Sequence, residues 1–445
     1  MTYPGTWLAG SDVRWRFCRA LGLAGVGLML FALGFSKSLQ NVGMGLALLA
    51  LLVALPGACA REFFSDRLVQ LTGIWIALLA ALAVMNAALI PETAEHQYDY
   101  IWKLSRLFLI VLTGWWVARV ERGPFIACVI VIAGCTLGGL YHLHQLGWLV
   151  YWPGVRVPGH LIWEGKQFYT LLSATLLMAL VVLARDLVGP RGGRFFWLRL
   201  LPWLVALLVA LNGLLLMRSR GPLLALIIAI GVLAFLAWRM YRASHDAAKP
   251  DQPVWRKYAG AALVVILVAA VVSAGLVANS AKFAQDRAAV VALIQAPEAI
   301  PETSLGIRLH QWREGVRLWQ QRPLFGWGPG AGRYLHAQAD LPPRAARSAL
   351  HHFHSVPLDL LMWTGLVGVG LLVLMARAWF RGFSQVLLRD DVDGRCARVA
   401  LAAGVMFLVA GLTQTYLTSQ VTWFYLAAFL GPVYGHAFSR ARENA

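Results

Sequence analysis

Long apolar runs recur along the chain, and they restrict its fold more than any other feature. The twelve runs lie near residues 19–35, 42–57, 70–90, 104–118, 124–143, 167–184, 200–216, 221–238, 259–278, 355–376, 398–414 and 421–438. A helix of roughly 20 apolar residues spans a bilayer, because it satisfies its backbone hydrogen bonds internally. We therefore expect an all-α integral membrane protein with about 12 transmembrane helices.

The composition excludes an ordinary soluble enzyme. Only 13% of the 445 residues are charged and 59% are hydrophobic, whereas soluble domains carry roughly 25% charged residues. The formal net charge of +18 would suit nucleic acid if the basic residues formed one patch. They follow the predicted topology instead. We therefore expect membrane lipids around the chain and no nucleic-acid partner.

The distribution of Lys and Arg predicts the orientation in the membrane. The tails and short loops on the side of the two termini carry 23 of the 39 basic residues, and the short loops on the other side carry 7. Cytoplasmic loops are the ones enriched in Lys and Arg. Both termini are therefore expected in the cytoplasm. The remaining 9 basic residues lie in 279–354, on the outer side.

This topology divides the chain into three parts. Residues 1–278 would hold helices 1–9, residues 279–354 a large outer loop between helices 9 and 10 with amphipathic helices and active-site residues, and residues 355–445 helices 10–12 and a cytoplasmic tail. Within the loop the sequence predicts a helix over 281–295. A break at the following prolines precedes a second helix, capped by Thr303 or Ser304.

The second loop helix is predicted to be amphipathic. Its apolar stripe consists of Leu305, Leu309, Trp312, Val316 and Trp319. We expect this stripe to pack on the bundle or on the membrane surface. Arg308 lies at the edge of the stripe, which places it in a partly dry crevice, whereas His310 and Arg317 lie toward the polar face. The alternative is that the Arg308 side chain lies along an apolar surface and extends its charged end to the membrane–water interface.

A glycine-rich segment follows this helix. Residues 323–332 read Pro-Leu-Phe-Gly-Trp-Gly-Pro-Gly-Ala-Gly. A phosphate-binding loop would continue with Lys-Ser/Thr and open a helix, and neither is present. The segment therefore indicates a structural turn.

Three histidines, His351, His352 and His354, end the outer loop just before an apolar run. Ser355 suits an N-cap, so His354 would lie at the positive end of a helix, where the neutral imidazole is favoured. A neutral imidazole at the membrane surface suits a general base, and the alternative is a histidine that only caps or hydrogen-bonds at the interface. Adjacent histidines do not easily share one tetrahedral metal, so we expect no metal and no cofactor.

Two arginines, Arg218 and Arg220, lie in a tight outer turn between two apolar runs. A charge at membrane depth costs roughly 2.5–3.5 kcal/mol on insertion scales and usually serves a site. Guanidinium groups bind phosphate oxygens in a bidentate fork and remain charged. The pair therefore suits a diphosphate, and the alternative is contact with lipid phosphates.

These segments together resemble the O-antigen ligase family, within the O-antigen ligase/polymerase superfamily. The similarity rests on Ser219-Arg220-Gly221, on Arg308 some 14 residues before Pro323-Leu-Phe-Gly-Trp-Gly, and on His354-Ser355 followed by nine residues and Gly365-Leu-Val-Gly368. The large outer loop and the number of apolar runs are also similar. The N-terminal half contributes no motif to the resemblance.

The resemblance implies a GT-C-like, metal-independent, inverting glycosyltransferase of the bacterial inner membrane. It would transfer a glycan from undecaprenyl diphosphate to a sugar hydroxyl of lipid A–core at the periplasmic face, in lipopolysaccharide biosynthesis. By position, His354 would be the base that activates this hydroxyl. Arg220 and Arg308 would bind the diphosphate, with Arg218 beside them.

Three other functions stay open. An O-antigen polymerase uses the same donor but tends to have two large outer loops, and the second candidate loop here, 144–166, is small. A protein O-oligosaccharyltransferase usually carries a further C-terminal periplasmic domain, which we do not expect here. A polytopic transporter would be favoured by matching broken helices in the two halves, and the sequence does not suggest them.

Overall fold

The computed structural model describes residues 13–55, 58–147, 165–190, 192–217, 219–245, 280–295, 300–343 and 352–443, and these residues form helices and no β-strand. The α-helices are α1 Val13–Phe31, α2 Lys37–Ala54, α3 Ala58–Ser65, α4 Arg67–Leu89, α5 Ala94–Ser105, α6 Phe108–Val117, α7 Gly123–Gln145, α8 Lys166–Val182, α9 Ala184–Val188, α10 Phe196–Met217, α11 Arg220–His245, α12 Ser280–Gln295, α13 Ser304–Gln321, α14 Gly332–Gln338, α15 Val356–Phe383, α16 Val392–Gly411 and α17 Gln420–Glu443. Short 3-10 helices follow α1 at Ala32–Gly34 and α4 at Pro91–Thr93.

The predicted apolar runs coincide with helices wherever the structure describes them, and the run 259–278 lies outside the described residues. Within the described ranges, eight helical segments are long and apolar enough to cross a membrane: Val13–Gly34, Lys37–Ala54, Arg67–Leu89, Gly123–Gln145, Phe196–Leu215, Arg220–Arg242, Val356–Phe383 and Val392–Gly411. Helix α8 is apolar but has only 17 residues, and α6 has 10. The all-helical fold is therefore confirmed, whereas the count of about 12 spans stays a prediction.

Small residues allow the helices at the centre of the bundle to approach closely. A Cβ atom on Gly25 of α1 would lie 2.6 Å from the backbone nitrogen of Ala47 in α2. A Cβ atom on Gly114 of α6 would lie 2.9 Å from the carbonyl oxygen of Gly431 in α17. Close backbone approach at small residues is a main source of helix association in membranes. These crossings pack α1 against α2 and α6 against α17.

Polar contacts fix the last helices against the middle of the chain. Arg395 of α16 donates two hydrogen bonds to the carboxylate of Asp186 in α9, at 2.6 and 2.7 Å. The hydroxyls of Thr175 in α8 and Tyr425 in α17 lie 2.8 Å apart in the buried interior. Such contacts orient helices whose apolar surfaces alone would pack in several ways. They fix α16 against α9 and α17 against α8.

The two loop helices form where the sequence predicts them. Helix α12 spans Ser280–Gln295, against a predicted 281–295. Thr303 is the N-cap of α13, and its hydroxyl accepts a hydrogen bond from the Gly306 N–H at 3.1 Å. The predicted capping is thus confirmed.

The predicted orientation of α13 is wrong in part. Its buried residues are Gly306, Leu309, His310, Gln311, Glu314, Gly315 and Leu318, whereas Val316 of the apolar stripe is 41% exposed. Gly315 makes this face suitable for packing, because a Cβ atom there would lie 2.7 Å from Leu358 of α15. His310 is buried rather than solvated, with its Nε2 atom 3.1 Å from the Ile300 carbonyl oxygen. Helix α13 therefore packs on α15 through part of its polar face.

Candidate functional site

The turn between α16 and α17, residues 412–419, contacts the starts of two other helices. Gln414 Oε1 lies 3.3 Å from Nδ1 of His354, just before α15. The next residue, Thr415, donates its hydroxyl to the carboxylate of Asp359 in the first turns of α15. On the other side, Thr413 lies close to the start of α11, because a Cβ atom on Gly221 would be only 3.1 Å from Thr413 Oγ1. The turn thus brings the start of α11 next to His354.

His354 itself has an unusual backbone conformation that its surroundings maintain. Its φ of 51° lies in the left-handed region, which a non-glycine residue adopts at a cost of roughly 1–3 kcal/mol. The preceding N–H, from Phe353, donates to Asp359 Oδ1 at 2.8 Å. The Phe353 ring stacks on His336 with 4.3 Å between centroids. Ser355 is the N-cap of α15 as predicted, but its side chain makes no capping hydrogen bond.

The predicted diphosphate ligands Arg220 and Arg308 lie in one neighbourhood. Arg220 begins α11 and forms an ion pair with Asp286 of α12. Arg308 is half-buried on α13. The pKa of the Arg308 guanidinium is lowered overall. Burial contributes most to this and the positive charge of Arg220 adds to it, while Asp286 and Tyr416 act in the opposite direction. The arginines are therefore close enough for their charges to interact. Arg218 lies outside the described residues.

Tyr416 completes this neighbourhood. Its side chain is only 3% exposed, and among the described residues its hydroxyl has no hydrogen-bond partner. Burial raises the pKa of the Tyr416 phenol and the positive charge of Arg308 lowers it. A buried hydroxyl without a partner costs about 1–3 kcal/mol and calls for an explanation.

Sequence analysis did not find the residues that connect this site, namely Asp359, Gln414, Thr415 and Tyr416. The quoted family pattern ends at Gly368, so it has no information on the turn after α16. A signal is nevertheless present in the sequence. Thr-Gln-Thr-Tyr at 413–416 interrupts two apolar runs, on the side of the membrane predicted for the large loop.

The glycine-rich segment is a structural turn in the structure. Gly365 in α15 has φ 62° and ψ −165°, which kinks the helix and exposes backbone groups on both sides of it. The segment pairs with them: Trp327 N–H donates to the Met362 carbonyl at 2.7 Å, and Leu366 N–H donates to the Pro323 carbonyl at 2.9 Å. The two glycine motifs are therefore complementary halves of one contact, which holds the segment 323–328 against α15.

A side chain from the N-terminal half binds the same segment. Gln97 of α5 donates through Nε2 to the Trp327 carbonyl at 3.1 Å and accepts from the Gly330 N–H at 3.2 Å. In addition, Arg322 donates to Asn86 of α4 at 2.8 Å. The segment 322–330 is thus anchored to α4 and α5. The described part of the chain contains no group of three His, Cys, Asp or Glu side chains that could hold a metal ion.

The fold and the site define a multi-pass, all-helical membrane protein with a basic site at one end of its bundle. Residues 205–373 match the family model described as O-antigen ligase, and the resemblance inferred from the sequence is confirmed. The matched region contains Arg220, Arg308 and His354. The match supports an activity of the O-antigen ligase and polymerase type, in a membrane enzyme of glycan assembly. No curated protein matches the chain.

Proposed function

We propose that the protein is an O-antigen ligase that transfers a glycan from undecaprenyl diphosphate to a lipid A–core sugar hydroxyl at the periplasmic face of the inner membrane. One observation supports this most strongly. Arg220, Arg308 and His354 come from three separate segments, yet the single turn 412–419 contacts or neighbours all of them. A diphosphate leaving group and an attacking hydroxyl need these two kinds of side chain close together.

The arginines would act on the departing diphosphate. As the bond between the sugar and the diphosphate breaks, negative charge grows on the phosphate oxygen. Fixed cations in a site partly removed from water stabilise that charge more in the transition state than in the ground state. Asp286 is paired with Arg220, so its carboxylate lies beside the guanidinium where a phosphate oxygen of the donor would bind.

His354 would act on the acceptor. In a single displacement, the acceptor hydroxyl oxygen attacks the anomeric carbon from the face opposite the diphosphate, and the configuration inverts. The hydroxyl proton passes to the imidazole, while the electron pair of the broken bond leaves with the diphosphate. General-base help of this kind contributes roughly 10²–10⁴-fold.

The surface of α11 beside Arg220 suits the polyprenyl chain. Leu224, Ile227 and Ile228 lie on one helical face, one to two turns after Arg220, and are 52%, 42% and 39% exposed. An apolar face next to a diphosphate-binding arginine allows the lipid tail to stay in hydrocarbon while the headgroup reaches the site.

A reconstituted reaction tests this proposal against its rivals. Purified protein is mixed with undecaprenyl-diphosphate-linked glycan and lipid A–core, and products are separated by size and by lipid. A glycan joined to lipid A–core supports the ligase, and a longer lipid-linked glycan supports a polymerase instead. Glycan attached to an added protein acceptor would indicate an O-oligosaccharyltransferase. Uptake into vesicles without any product would indicate a transporter.

A further inference from the structure

We propose that Gln414 is a positioning residue for His354: its side-chain oxygen accepts the Nδ1 proton and so makes Nε2 the nitrogen that takes the proton of the acceptor hydroxyl. The inference rests on the proposed base role of His354. It adds a residue that lies outside the matched region 205–373.

The geometry places Gln414 where it can control the ring. Its Oε1 atom is 3.3 Å from His354 Nδ1. The neighbouring Thr415 donates to Asp359, whose other carboxylate oxygen accepts from the Phe353 N–H. Two adjacent residues of one turn therefore hold the ring of His354 and, through Asp359, the backbone just before it. A shift of the turn would move both together.

The chemistry of imidazole makes this contact consequential. Neutral imidazole carries one N–H, and the hydrogen bond at one nitrogen determines which nitrogen is protonated. An acceptor at Nδ1 stabilises the Nδ1–H form, which leaves the lone pair on Nε2. Asp359 holds the Phe353 N–H and with it the backbone just before His354, so the contact with Gln414 would set the direction of the ring together with its tautomer.

An amide is a different partner from the carboxylate of a Ser-His-Asp triad. A carboxylate would hold the proton on the imidazolium by charge, whereas a neutral amide orients the ring without adding charge. The nearby carboxylate, Asp359, is already bonded to Phe353 and Thr415. In the part of the chain that the structure describes, the His352 ring also lies beside His354, with 4.6 Å between ring centroids. The site thus keeps His354 able to accept a proton and to release it.

Two substitutions separate this role from simple packing. Gln414→Leu removes the acceptor and should lower the transfer rate by roughly 10- to 100-fold. Gln414→Glu keeps the acceptor but adds a negative charge, which stabilises the imidazolium, so the acid limb of the pH–rate profile should move to higher pH. Gln420→Leu in the same region, where Gln420 bonds to Asn41, is the matched control and should leave rate and profile unchanged.

Nitrogen-15 chemical shifts of the His354 ring, measured in protein labelled at histidine, report the tautomer without any need for activity. Wild-type protein should show the Nδ1–H form, and Gln414→Leu should lose that preference. An Nε2–H form in the wild type, or unmoved ring shifts and pH profile in both Gln414 variants, would overturn the proposal. Failure of the base role is seen separately, as normal transfer by His354→Ala, so the two can fail independently.

Discussion

Arg220 is paired with Asp286, and the pair joins the first residue of α11 to the middle of α12. Both side chains are mostly buried, with 24% and 19% of their surfaces exposed. A carboxylate therefore neutralises one of the two positive charges that we assign to the diphosphate. The lipid-linked donor has to compete with this carboxylate or share the arginine with it.

Removing the charge of Asp286 should strengthen donor binding. Asp286→Asn leaves Arg220 without its competing anion, so the KM for the lipid-linked donor should fall by up to about fivefold, the size of an ion pair worth about 1 kcal/mol. Steady-state kinetics with the donor as the varied substrate measure this. Asp390→Asn, a 65% exposed carboxylate near Arg395, is the control. A KM that rises in Asp286→Asn would show that the pair assembles the site instead.

Two arginines on the same helix should differ sharply in importance. Arg308 is half-buried near Arg220, whereas the Arg317 side chain is 53% exposed and paired with Glu314. Arg308→Ala should lower the transfer rate by on the order of 10²–10³, the loss expected for one transition-state donor. Arg317→Ala should stay within a few-fold of wild type. Equal losses in the two variants would contradict the assignment of Arg308 to the diphosphate.

The kink at Gly365 should be needed for the fold around His354. A Cβ atom there would lie 2.2 Å from the Leu324 carbonyl oxygen, and its φ of 62° is strained for any other residue. Gly365→Ala should therefore cost at least about 1–3 kcal/mol and lower the thermal midpoint in detergent. Gly370→Ala in the same helix meets no atom within 4 Å and should leave the midpoint unchanged. Similar thermal midpoints for both variants would show that the contact between the Gly365 kink and the segment 323–328 does not stabilise the fold.

Sequence reasoning predicted the helices well because their determinants are local. The apolar runs and the N-cap at Thr303 are both visible within a few residues. The face of α13 was not predictable in this way. Hydropathy placed His310 on the polar face, but Gly315 allows that side to pack on α15. The buried Glu314 on that side is satisfied by Arg317 and by the Asp340 N–H at 3.2 Å.

The site was predictable in part for the same reason. A charged or titratable residue next to an apolar run can be recognised from the sequence one residue at a time, and Arg220, Arg308 and His354 are candidates of this kind. Gln414 and Tyr416 are polar residues in a short turn, 60 and 62 positions after His354. Their role depends on which helix ends meet, and only the packing of α16 against the rest of the bundle determines that.

The orientation in the membrane is a prediction from the charge distribution, and thiol labelling tests it. A cysteine introduced at Ser304, in the large loop, should react with a membrane-impermeant reagent in cells with a permeabilised outer membrane. A cysteine at Ser244, near the end of α11, should be protected until the inner membrane is opened. The opposite labelling pattern would show that the topology is inverted, and the proposed site would then face away from the donor and acceptor that we propose for it.

Transfer of glycan to lipid A–core by the His354→Ala protein tests the central claim most directly. The assay uses purified wild-type, His354→Ala and His352→Ala proteins with the lipid-linked donor and lipid A–core, in excess EDTA. We expect full activity in the wild type, most of it in His352→Ala, and a loss of roughly 10²–10⁴ in His354→Ala, with donor binding retained. Wild-type rates in His354→Ala would contradict the role of His354 as the base.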